Sequence, residues 1–415
     1  MGFSTTGLNP QLIAAVTKQG YTEPTPIQAA TIPAILDGQD IMAGAQTGTG
    51  KTAAFALPIL QQLSQNSSTD SQNPERPIRA LILTPTRELA QQVHKSFVSY
   101  GQNSPLQSAL VYGGASINSQ IIALSQGVDI LVATPGRLID LIGRGAADLS
   151  QIQHLVFDEA DRMLDMGFMD EIRRILKPIP AQRQTLLFSA TFAQAIFDLS
   201  KTLLNEPTLI EVDARNTAAT QVEQMVYAVD ADRKRELLSW LIGSKNWKQV
   251  LVFTRTKQGA DQLASEMCKD GLKTQSIHGD KSQGARERAL EAFREGDIRV
   301  LVATDVAARG LDIDQLSYVV NFELPYNAED YIHRIGRTGR AGGSGLAISL
   351  LSPPENYLLE EIETILDARL PQQWLPGYEP DPTKEHRPAR NSSPGAQKRR
   401  ARDRAIGKKP ARRRR

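Results

Sequence analysis

The sequence predicts an α/β protein of two units, each a mostly parallel sheet flanked by helices, followed by a disordered basic tail. Three observations carry this expectation. Short apolar runs alternate with longer amphipathic stretches along most of the 415 residues, the pattern of buried strands joined by crossover helices. A polar octet, Asp213-Ala214-Arg215-Asn216-Thr217-Ala218-Ala219-Thr220, separates two such series. The composition then changes at the end: residues 384–415 carry fourteen Lys and Arg against Glu385 and Asp403, a net of +12.

In the first series the strand-like runs are 80–83, 128–133, 154–157 and 185–188, and residues 64–77 read as a polar surface loop. In the second they are 250–253, 299–303, 318–322 and 346–351. The expected limits are therefore 1–212 for the first domain, 213–220 for the linker, 221–375 for the second domain and 376–415 for the tail, each domain being of ordinary size.

A net charge of +2 conceals an acidic body of about −10 over residues 1–383 beside the polycationic tail. With almost no large apolar residues the tail cannot bury a core, and its natural partner is a polyanion. Cys268 is the only cysteine, which excludes an intramolecular disulfide and a cysteine-based zinc site. No run approaches the roughly 18 apolar residues of a membrane span, and the start has no basic-then-apolar leader pattern. The expectation is a cytoplasmic protein with no membrane partner.

Two segments suggest one chemistry. In Ala45-Gln46-Thr47-Gly48-Thr49-Gly50-Lys51-Thr52 the glycines let backbone N–H groups curl around phosphate oxygens at a helix start. Lys51 would reach the β and γ phosphates, and Thr52 would bind Mg²⁺. Ala45 stands where the strict pattern has its first Gly, with Gly44 adjacent. Asp158-Glu159-Ala160-Asp161 follows the apolar run Leu155-Val156-Phe157. Alone, such an acidic turn is more often an N-cap or a solvated corner. Opposite a phosphate loop it acquires jobs: Asp158 holds Mg²⁺ through its water shell, and Glu159 orients and deprotonates the attacking water.

With these two segments in place the chain resembles the DEAD-box family of ATP-dependent RNA helicases. Further family segments stand in order: Pro85-Thr86-Arg87-Glu88-Leu89-Ala90, Gly113-Gly114, Thr134-Pro135-Gly136-Arg137, Ser189-Ala190-Thr191, Val252-Phe253-Thr254, Ala307-Ala308-Arg309-Gly310-Leu311-Asp312 and His333-Arg334-Ile335-Gly336-Arg337-Thr338-Gly339-Arg340. The short basic tail most resembles bacterial RhlE-type members. The resemblance implies two tandem RecA-like domains, ATP and Mg²⁺ as cofactors, and RNA as partner.

It also implies roles residue by residue. Gly20 to Gln28 resembles the adenine-reading segment, with Gln28 on the adenine edge, Tyr21 stacking and Phe3 as the upstream aromatic. Arg337 and Arg340 would be arginine fingers on the γ-phosphate, Asp305 would touch the ribose, and His333 would help couple the halves. Asp161 would couple to Ser189 and Thr191. Pro85, Thr86, Arg87, Gly114, Thr134 and Arg137 in the first half, with Thr254, Thr304, Arg309 and Gly310 in the second, would contact RNA at phosphates and 2′-hydroxyls. The expected activity is RNA-stimulated ATP hydrolysis coupled to domain closure and local, non-processive duplex opening by a monomer. Ribosomal particles or RNA-decay machinery are the expected setting. An ATP-gated RNA clamp with little turnover is the alternative.

Overall fold

The computed structural model describes residues 2–44, 49–65, 76–192, 194–211, 222–308, 313, 316–338 and 345–384. The chain forms two compact units, Met1–Ala214 and Arg215–Arg415. The expected linker 213–220 lies outside the described residues.

In the first unit, strands β1 (Ile41–Gly44), β2 (Ala80–Leu83), β3 (Ser108–Val111), β4 (Ile130–Ala133), β5 (His154–Phe157), β6 (Gln184–Ser189) and β7 (Thr208–Glu211) form one sheet in the order β3-β4-β2-β5-β6-β1-β7. Every pairing is parallel. Helices cover both faces, so successive strand residues feed two cores. Ile41, Ala43, Ile82, Val132, Val156, Leu186 and Phe188 enter one, while Met42, Leu81, Leu83, Leu131, Leu155, Phe157 and Leu187 enter the other. Central strands such as β2 and β4 are buried on both faces and are continuous apolar runs.

The second unit repeats the plan. Strands β8 (Val222–Ala228), β9 (Val250–Thr254), β10 (Thr274–Ile277), β11 (Val300–Thr304), β12 (Tyr318–Asn321), β13 (Gly345–Leu351) and β14 (Gln372–Gln373) lie in the order β10-β11-β9-β12-β13-β8-β14. The described pairings are again parallel. Val250, Val252, Val300 and Val302 face one core, and Leu251, Phe253, Leu301 and Ala303 the other.

Parallel register brings the carboxyl ends of neighbouring strands into a row. Leu83 pairs with Ala133 and with Phe157, and Val111 pairs with Ala133. The loops that follow β3, β4 and β2 therefore leave one half of the edge, and those after β5, β6 and β1 leave the other. In the second unit Thr254 and Thr304 are direct register partners at the ends of β9 and β11.

One boundary is corrected. The tail was expected to lose structure from residue 376. Instead Leu375 and Tyr378 pack on the second unit's core, and the Arg233 guanidinium lies 4.7 Å from the Tyr378 ring centroid. The Asp381 N–H donates to Asp230, and Lys384 Nζ lies 3.0 Å from carboxylate oxygens of both Asp230 and Asp232. Two apolar anchors and the Lys384 ion pairs hold this stretch. Residues 385–415 lie outside the described residues.

Candidate nucleotide and RNA sites

The nucleotide candidates gather at the ends of β1, β5 and β6. Ala45, Gln46, Thr47 and Gly48 lie outside the described residues, whereas Thr49 and Gly50 lead into the helix Lys51–Gln65. Gly50 has φ +89°, and a Cβ there would fall 2.3 Å from Gln28 Nε2, so only glycine fits. Lys51 opens the helix with 6% exposure, and its ammonium makes no hydrogen bond among the described residues. Asp158 is 2% exposed, and its Oδ1 likewise has no hydrogen-bond partner among the described residues. Burial pushes the Asp158 carboxyl up to about 7, against the pull of the Lys51 charge. A buried cation and a buried carboxylate oxygen, both unsatisfied, are costly unless something else completes them.

Glu159 takes φ 56° and ψ 55°, left-handed backbone that costs a residue with a Cβ about 1–2 kcal/mol. It is 5% exposed, and its Oε2 accepts from Arg162 Nη1 at 3.2 Å. Asp161 Oδ1 accepts from the Arg162 N–H at 2.9 Å, and its Oδ2 accepts from the Ala190 N–H at 3.1 Å. Burial raises the Asp161 carboxyl above its ordinary range. Ser189 Oγ donates to the Thr191 carbonyl and accepts from the Thr191 N–H. Asp161 thus meets the Ser189-Ala190-Thr191 segment at its backbone. The hydroxyl of Ser189 closes its own turn, and the bond to Asp161 comes from the backbone of Ala190.

The adenine-reading candidates divide. Tyr21 is 48% exposed. Phe3 is 3% exposed inside the apolar core and offers no ring to a ligand. An aromatic beside Gly2 on a short 3-10 turn buries its area instead of displaying it. Gln28 is also enclosed: Oε1 accepts from the Thr25 N–H and Nε2 donates to the Gly50 carbonyl, each at 3.0 Å. In this structure its amide closes a capping box and ties that helix start to the phosphate-loop end.

The RNA candidates of the first unit share the other half of the strand edge. Thr86 caps the helix Arg87–Tyr100, and Thr134 precedes the helix Pro135–Gly143. Gly114 has φ +88°, and a Cβ there would meet Arg87 Nη1 at 2.1 Å, so the guanidinium lies directly over the glycine. Arg137 Nη2 donates to the Ala115 carbonyl at 3.0 Å, while its buried Nη1 has no hydrogen-bond partner among the described residues. These contacts bring Arg87, Gly114 and Arg137 together, with one donor left for an acceptor from elsewhere.

In the second unit Asp305, His333 and Arg337 line one narrow cleft with Phe253, Ala308, Asp330 and Arg334. Arg309, Gly310 and Arg340 lie outside the described residues. Asp305 does not project freely toward a ribose. Its carboxylate is held by Arg334 Nε at 2.5 Å and Nη2 at 2.7 Å.

Comparison with known proteins decides the family. Residues 25–199 match the DEAD/DEAH box helicase family, and residues 233–342 match the helicase conserved C-terminal domain. The ATP-dependent RNA helicase CshA of Listeria monocytogenes is 42% identical over 377 residues, covering 91% of this chain and 71% of that protein. The RNA helicase CrhR of Synechocystis is 46% identical over 375 residues, covering 90% and 74%. Saccharomyces cerevisiae Dbp5, solved with RNA and ADP BeF3, superposes with TM-score 0.79 at 31% identity over 90% of this chain and 95% of that one. The chain belongs to the DEAD-box family of ATP-dependent RNA helicases.

Two residues that build this helicase's sites were not singled out from its sequence. Arg162 and Arg334 are 3% and 1% exposed. Arg334 also donates to the Asn321 side chain and the Glu323 carbonyl, and its guanidinium lies 4.9 Å from the Phe253 ring centroid. A helical arginine reads as solvated, and only the carboxylates around these two give them away. Among the described residues there is no cluster of three or more His, Cys, Asp or Glu suited to a protein-built metal cage. The donors fit instead a metal that arrives with its phosphates, which Mg²⁺ does, held by few protein groups and several waters.

Proposed function

We propose that this helicase binds ATP with Mg²⁺ at the ends of β1 and β5, and uses RNA-stimulated hydrolysis for local, non-processive opening of RNA duplexes. The observation that carries the reading is the coincidence of unsatisfied Lys51 Nζ and Asp158 Oδ1 beside the strained Glu159. When bound, the metal supplies charge for the phosphates and an ordered water shell. Lys51 neutralises the β and γ phosphates, Thr52 and Asp158 hold the metal side, and Tyr21 stacks on the base. Gln28 exchanges its bond to Gly50 for the adenine edge. Glu159 takes the proton of the attacking water, so the hydroxide that attacks the γ-phosphorus forms only as the proton leaves. Arg337 and Arg340 stabilise charge on the transferring group, with Asp305 and His333 ordering that cleft, and Asp161 with Ser189 and Thr191 linking the acidic turn to the strand beside it.

RNA runs over Pro85, Thr86, Arg87, Gly114, Thr134 and Arg137 and over Thr254, Thr304, Arg309 and Gly310, touched at its backbone. The unsatisfied Arg137 Nη1 supports this assignment. The domain limits 1–212 and 221–375, corrected at the tail to run through 384, the RhlE-type placement, a monomeric cytoplasmic enzyme and work on ribosomal particles or in RNA decay belong to the same proposal. No described helix is long and apolar enough to cross a membrane. ATP hydrolysis measured with and without RNA tests the core of it. Stimulation of at least tenfold that vanishes in Lys51→Ala is expected, and hydrolysis indifferent to both RNA and Lys51 would reject it.

A further inference from the structure

We propose that Arg162 is a positioning residue for ATP hydrolysis, its guanidinium fixing the Glu159 carboxylate where the attacking water must be met. The proposal rests on the reading of Glu159 as the base. Glu159 carries three side-chain torsions on a left-handed backbone position at a turn, so the placement of its carboxylate is selected by the contacts it makes. Arg162 supplies that selection three ways. Its N–H and that of Met163 donate to the Glu159 carbonyl at 3.1 and 3.2 Å, which holds the strained turn. Its Nη1 donates to Glu159 Oε2 at 3.2 Å. Its N–H is also within 2.9 Å of Asp161 Oδ1, so the turn that orients Glu159 is tied to the carboxylate that receives the Ala190 N–H.

An exposed pair three residues apart on a helix would do little, since solvent screens it and both side chains wander. Here the side chains are 4% and 7% exposed, and a planar, permanently charged guanidinium in that setting restricts direction as well as distance. Lysine would keep the charge but lose the fork. The pair therefore acts on where the carboxylate points more than on whether the nucleotide binds, because the contact that the Arg162 guanidinium makes is with the Glu159 carboxylate itself.

The test uses the full-length protein with Arg162→Gln and Arg162→Lys, measuring kcat and KM for ATP with saturating RNA, affinity for a fluorescent ATP analogue, and melting temperature. In Arg162→Gln, kcat falls at least tenfold while analogue affinity stays within about twofold. Arg162→Lys recovers several-fold of that loss. An unchanged kcat in Arg162→Gln overturns the inference, as does a loss of affinity equal to the loss of kcat, which is what mere unfolding of the turn would give. Where Arg162→Gln does not fold, Arg162→Lys decides alone: a lower kcat at unchanged affinity supports the inference, and parental kcat overturns it. Glu159→Gln is measured beside them. Parental turnover in that variant removes the base reading itself, whereas lost turnover there with parental kcat in Arg162→Gln removes only the role of Arg162.

Discussion

Replacing Gly114 by alanine should separate RNA binding from nucleotide chemistry. The new Cβ would stand 2.1 Å from Arg87 Nη1, 2.6 Å from Cζ and 3.0 Å from Nη2. Ordinary contact begins near 3.4 Å, so the guanidinium must withdraw by more than an ångström. The φ of +88° adds about 1–2 kcal/mol of backbone strain for an L residue. If Arg87 holds an RNA phosphate, removing a charge-assisted hydrogen bond of about 1.5–3 kcal/mol weakens RNA affinity about 10- to 100-fold. Gly113→Ala is the control, since its Cβ would meet Arg87 Nη2 at 3.8 Å, an ordinary contact. Anisotropy titration of labelled single-stranded RNA at fixed salt measures the affinity, and RNA-free ATP hydrolysis reports on the nucleotide site. RNA affinity within twofold of the parent in Gly114→Ala, or an equal loss in Gly113→Ala, would refute the placement of RNA over this loop.

Three more outcomes follow from the same geometry. Burial lowers the His154 imidazole to about 4, so below pH 6.5 the unfolded chain takes up a proton the folded chain refuses. The stability involved is present above 6.5 and is lost as pH falls toward 4, about 3 kcal/mol in all, and His154→Gln should flatten urea-derived stability across that window; an unchanged acid slope refutes it. Arg334→Met leaves Asp305 and Asn321 without their main donor and should cost about 3 kcal/mol or more, lowering the melting temperature, with stability within about 0.5 kcal/mol of the parent contradicting the keystone role. Deleting residues 385–415 should weaken RNA binding and flatten its salt dependence, because every phosphate that the tail neutralises on a single strand adds about 0.7 to the steepness of the logarithmic slope. A deletion that leaves the slope intact would show the polycationic tail to be idle on RNA.

The strands most legible in the sequence were those buried on both faces. β2, β5 and β9 are dominated by apolar residues and buried throughout, and their limits could be read almost to the residue. β3, β7 and β10 escaped notice because they are four residues long and alternate between core and solvent near sheet edges, so their apolar residues are too few to stand out. β14 is two exposed glutamines, which pair with β8 only because the segment after Leu370 is anchored by Leu375 and Tyr378. The candidate site was legible where residue type marks it: Lys51, Asp158 and Glu159 stand out in the sequence, and all three are buried at the ends of β1 and β5. What the sequence could not give was which atoms meet. Ala190 reaches Asp161 through its backbone, Gln28 is occupied by Thr25 and Gly50, and Phe3 is core. The arginines that orient the carboxylates sit on helices, where spacing alone does not tell a buried guanidinium from a solvated one.

The central claim is that hydrolysis at Glu159 drives repeated strand release from RNA. It is tested most directly by following displacement of a short labelled RNA strand with duplex in large excess over enzyme, for the parent and for Glu159→Gln, with ATP consumption recorded in the same samples. The account predicts many duplexes opened per parental enzyme and no more than about one per molecule of Glu159→Gln, which can still bind ATP but cannot reset. Continued multiple-turnover release by Glu159→Gln would contradict it.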